Sequence, residues 1–109
     1  MIFMEKAISV LGKYIDECLI EPSTSWTKQD FARRAFSRWA ANELLELFIK
    51  EASKVPPHIS GEEPKRPIDI VDDFIEQMDY YSELATNQRT WAIFATAHDT
   101  IKELRYLFE

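Results

Sequence analysis

Glycine is nearly missing from this chain, at 2 of 109 residues. That scarcity argues against a hairpin-rich β architecture and against a glycine-rich phosphate-cradling loop. Cys18 is the sole cysteine, so no intrachain disulfide can form, and nothing points to an oxidising compartment. With only two histidines besides, no paired ligand spacing for zinc exists, and no nucleophile elbow is present. Long apolar runs are absent too: no window approaches the roughly 18 uninterrupted apolar residues of a membrane span. The N-terminus meets Glu5 and Lys6 early and lacks a basic leader, so a secretory signal is not expected. A cytoplasmic protein without membrane attachment is the expectation. Positive charge is also in deficit. A formal charge of −6 argues against bulk attraction to nucleic acid or anionic lipid, which only a local basic patch could reverse.

What is present is an ordinary globular balance, 46% hydrophobic and 29% charged, on a length suited to one domain over residues 1–109. Apolar spacing of three and four predicts an all-α, four-helix bundle-like domain with helices near 2–20, 27–55, 67–85 and 88–108. The first helix offers Met4, Ala7, Ile8, Leu11, Tyr14, Ile15, Cys18 and Leu19 on one side. Cys18 therefore reads as a buried structural thiol. Pro22 pushes Glu21 out of the helical region and ends the helix. Four of the five prolines fall in residues 56–67, which predicts an extended loop over 56–66 with Pro67 at N1 of the third helix. The third helix should bury Val71, Phe74, Ile75, Met78, Tyr81 and Ala85, with Asp69, Asp72, Glu76, Asp79 and Glu83 facing away. Thr86 and Asn87 then supply a tight link and an N-cap, making an antiparallel hairpin with a fourth helix. That helix should bury Ile93, Phe94, Ala97, Ile101, Leu104 and Phe108.

The second helix is the organising one. Thr27 as N-cap with Asp30 at N3 forms a capping-box variant, and Trp26 with Phe31 is placed as a hydrophobic staple. Its first half carries Phe31, Ala35, Phe36 and Trp39, its second half Ala41, Leu44, Leu45, Phe48, Ala52 and Val55. At about 100° per residue the two stripes centre roughly 140° apart. The intervening residues are strong helix formers without a breaker, so the rod should be continuous and buried on different sides along its length. A monomeric bundle covers one side of each helix. The aromatic side therefore predicts a homodimer or higher self-assembly through Phe31, Arg34, Ala35, Phe36, Arg38 and Trp39.

Two acidic pairs offer a second reading. Glu43 and Glu46 lie one turn apart on helix two, Glu76 and Asp79 one turn apart on helix three. Facing each other, such pairs can hold Mg²⁺ through carboxylate oxygens, water and substrate phosphates. In Asn42-Glu43-Leu44-Leu45-Glu46 and Glu76-Gln77-Met78-Asp79 the chain resembles the all-α nucleotide pyrophosphohydrolases of the MazG and dimeric dUTPase type. The resemblance covers about half the chain, with Asn42 where that family has its first glutamate. It implies Mg²⁺-dependent hydrolysis of a nucleoside triphosphate between its α and β phosphates. The helical wheel opposes it, because Glu76 lies nearly opposite its helix's apolar stripe and a bundle metal needs inward ligands.

Two smaller constellations remain. Arg33, Arg34 and Arg38, with Lys28 one turn earlier, sit beside Phe36 and Trp39, a mixture that can hold a nucleic-acid backbone and stack bases. The acidic side of helix three is an equally available partner for them. His98 and Asp99 are adjacent on a helix and are expected to face apart rather than pair. Size and composition match short helical proteins of bacteria and their phages without a motif that names one. The function expected is protein interaction or oligomerisation, with no cofactor. The Mg²⁺-dependent hydrolase and a nucleic-acid binder using the three arginines are the alternatives.

Overall fold

The computed structural model describes residues 3–17, 27–54 and 65–109, and among them every regular element is helical. They are α1 (Met4–Glu17), α2 (Lys28–Ala52), α3 (Pro67–Leu84), α4 (Gln88–Leu104) and a closing 3₁₀ turn, Arg105–Phe108. The architecture is an all-α, four-helix bundle-like fold. None of these helices is long and apolar enough to cross a membrane.

Local chemistry explains the boundaries. At the start of α2 the Thr27 hydroxyl oxygen accepts the Asp30 N–H at 3.2 Å, and the Asp30 carboxylate accepts the Thr27 N–H at 2.8 Å. The reciprocal capping box is thus complete. Pro67 opens α3 at a position where its missing N–H costs nothing. Arg66, just before it, has no capping side chain and instead grips Asp69 through Nε and Nη2, both at 3.0 Å. Asn87 caps α4 by accepting the Thr90 N–H at 2.9 Å. α3 stops at Leu84, within one residue of the expected end, and Ala85 turns away in the extended region. At the C-terminus the α-helix tightens to 3₁₀ after Leu104, one turn before the expected end.

The core joins Ala7, Leu11 and Ile15 of α1 to Ala40, Ala41, Leu44 and Phe48 of α2. Ile70, Val71, Phe74 and Met78 of α3, Ala97 and Ile101 of α4, and Phe108 complete it. No described polar or charged residue is buried. The three-residue link 85–87 folds α3 and α4 into an antiparallel hairpin with the most extensive contact in the bundle. α2 and α4 run the same way, since Ser37 meets Thr100 at 2.8 Å and, further along α2, Phe48 meets Phe108 of the 3₁₀ turn that follows α4. The start of α2, the start of α4 and the end of α3 therefore share one end of the bundle. α1 and the 3₁₀ turn pack together at the other.

The stripes are as expected at Ala7, Leu11, Ile15, Val71, Phe74, Met78, Ala97, Ile101 and Phe108, all buried. Tyr81 is a correction. It continues the α3 stripe yet is 44% exposed, because the cover over α3 ends one turn earlier at Met78. Ala52 is exposed as well. The expectations for Cys18, Leu19, Pro22, Trp26, Val55 and most of the proline-rich loop fall outside the described residues.

Candidate functional site

α2 is one continuous helix of 25 residues, and its buried residues all lie in its second half rather than on different sides along its length. Residues 28–39 include no buried residue; the first is Ala40. Phe31 is 48% exposed and Trp39 38%, Ala35 is exposed, and Phe36 is half-buried. Twelve residues of helix span about 18 Å at 1.5 Å per residue. For that distance a capped, regular rod carries aromatic rings past the edge of the core.

The same holds for its neighbours at that end. Residues 79–84 of α3 and 88–96 of α4 also lack a buried residue, although Tyr80, Tyr81, Leu84, Trp91, Ile93 and Phe94 lie there. Ring contacts tie the three helices into one row. Trp39 meets Phe94 edge to face at 6.1 Å, Phe94 meets Tyr81 at 5.3 Å, and Tyr81 meets Tyr80 at 5.8 Å. At the opposite end, α1 and the 3₁₀ turn complete the wall.

Charge flanks the row unevenly. Lys28, Arg33, Arg34 and Arg38 are all exposed on the α2 side. On the α3 side, Asp73 and Glu76 line a shallow open groove of about 290 Å³ together with Gln77, Tyr80 and Tyr81. Two other acids of α3 are engaged elsewhere. Arg66 holds Asp69, and Arg105 bonds Asp72 through Nε at 2.6 Å while its Nη1 reaches Glu109 at 2.5 Å. The hydrogen-bonded Arg66 guanidinium keeps the Asp69 carboxyl below the usual carboxylate range.

A second groove of about 190 Å³ runs between the later part of α2 and the start of α3, past Leu47, Ile70 and Phe74. Lys54 bonds Glu51 there at 2.8 Å, and the Lys65 N–H donates to the same carboxylate at 2.9 Å. Those bonds, the Lys54 side chain foremost, hold Glu51 below its ordinary value.

The acidic pairs do not assemble. Glu43 is half-buried, while Glu46, Glu76 and Asp79 are exposed. Among the described residues no three His, Cys, Asp or Glu side chains gather as a metal ion would need. His98 is half-buried, and its Nδ1 lies 3.0 Å from Asp99 Oδ1, against the expectation that the two face apart. A short carboxylate can swing along the helix surface to its neighbour even when the two Cβ directions diverge by about 100°.

The exposed rings of Tyr80, Tyr81 and Trp91, with Leu84, were not singled out from the sequence as a surface, whereas Phe94, expected in the α4 stripe, packs partly buried against the core. The adjacent tyrosines carried a usable signal, since consecutive helical residues cannot both face one core. No protein-family model, no curated protein and no solved structure matches this chain. The fold and the exposed row together define a small helical bundle in which, among the described residues, one end carries exposed aromatic rings.

Proposed function

We propose that this chain is a protein-interaction module that acts by self-association, in its simplest form a homodimer, through the open end of the bundle. The observation that supports this best is the row of rings running from Trp39 through Phe94 and Tyr81 to Tyr80 beside a half-helix with no buried residue. A contiguous apolar surface of this kind on a small protein marks a contact site. Trp, Tyr and Arg are the residues that carry binding energy at interfaces, and all three line this one. The three uncovered stretches are on the scale of the roughly 20–30 residues that a standard interface uses per partner.

Light scattering coupled to size-exclusion chromatography tests the reading. The wild type is expected to run as a dimer, and Trp39→Asp, which sets a charge within the contact, is expected to run as a folded monomer. A Trp39→Asp protein that remains dimeric moves the interface elsewhere. A wild type found only at 12.8 kDa at high concentration removes the proposal.

A further inference from the structure

We propose that the second copy docks with α2 of each protomer lying on α3 of the other, so that Lys28 and Arg38 enter the partner's acidic, tyrosine-walled groove. This rests on the self-association reading above and specifies its geometry. Residues 28–39 carry Lys28, Arg33, Arg34 and Arg38 against the lone acid Asp30. α3 carries Asp69, Asp72, Asp73, Glu76, Asp79 and Glu83 and contains no lysine or arginine. Asp69 and Asp72 are bound by Arg66 and Arg105 of their own chain, whereas Asp73 and Glu76 border the open groove with Tyr80 and Tyr81. Carboxylates beside aromatic faces suit a guanidinium or ammonium group twice over, by charge-assisted hydrogen bonding and by cation–π attraction.

Symmetry and charge favour this arrangement over its rival. The basic half-helix and the acidic groove lie on opposite flanks of one aromatic row, so a two-fold rotation sets each against the other and makes both contacts twice. The competing arrangement, α2 against α2, would bring two clusters of like charge together. On the exposed side of α2, the small Ala32 and Ala35 between Phe31, Phe36 and Trp39 leave room for a partner helix.

The test uses two charge-reversed full-length chains, Lys28→Glu/Arg38→Glu and Asp73→Lys/Glu76→Lys. Each alone should self-associate about tenfold more weakly or worse, and an equimolar mixture should recover a mixed dimer detected by native mass spectrometry. The wild-type dimer should also weaken between about 50 mM and about 500 mM salt. Retained dimerisation of the Asp73→Lys/Glu76→Lys chain, failure of the mixture to recover, or indifference to salt would each overturn the docking geometry. If Trp39→Asp dissociates the dimer while both charge variants keep it, the geometry falls and the self-association reading stands. A monomeric wild type ends both.

Discussion

Phe48 and Phe108 meet edge to face, ring centroids 5.3 Å apart at 66°, and both are fully buried. They come from the last third of α2 and from the 3₁₀ turn at the chain's end, so this contact ties the C-terminus to the closed end of the bundle. Phe108→Ala should therefore destabilise the fold by about 3–5 kcal/mol, the range for removing a buried phenylalanine. A urea titration measures it. A loss under about 1 kcal/mol would mean that the terminal turn is dispensable.

Gly12 lies inside α1, and a methyl group built there meets nothing within 4 Å. Gly12→Ala should raise stability by about 0.5–1 kcal/mol through helix propensity alone. The gain should appear as a higher urea midpoint with an unchanged slope. A loss of stability would show that something does pack over this position.

The capping box offers a more local test. Thr27→Ala removes one acceptor at the start of α2, worth about 1 kcal/mol. Because residues 28–39 contribute no buried residue, the effect should stay at that end of the helix. Amide exchange over residues 31–36 should quicken about fivefold while residues 44–48 keep their protection. Uniform acceleration would instead place the first half of α2 in the global folding unit.

Acid should act on the same cap. The Thr27 N–H, bonded to the Asp30 carboxylate, holds Asp30 below its ordinary pKa, with the Thr27 hydroxyl and Arg33 adding to the effect. A lowered folded value means the cap's contribution is complete above the unfolded value, near pH 4, and is lost as pH falls through the folded one. Amide exchange at residues 31–36, corrected for its intrinsic pH dependence, should therefore show less protection below about pH 4. Asp30→Asn should abolish that acid step.

How much was readable beforehand can be judged residue by residue. Thr27 and Asp30 announce the start of α2, and Asn87 that of α4, because a cap is an interaction among residues three apart and needs nothing distant. That α2 is one unbroken rod was legible for the same reason, its middle being strong helix formers without a breaker. Tyr81 was misjudged because periodicity gives the direction a side chain takes, and burial also requires something to lie in that direction. His98 and Asp99 were misjudged because rotamer freedom in a short acid escapes a helical wheel. Whether Glu43 and Glu46 would meet Glu76 and Asp79 could not be read from spacing, since it depends on how α2 and α3 are rotated against each other.

By itself, then, the order of residues determined four helical stretches, their caps and the inward faces of their middle portions, all of which follow from interactions within a few positions. Only the tertiary structure decided that α2 and α4 run in parallel, that their first turns share an end with the last turn of α3, and that no described residue is buried there. Those outcomes depend on where α1 and the terminal 3₁₀ turn stop covering their neighbours. That in turn depends on packing between segments as far apart as Ser37 and Thr100, which no local pattern encodes.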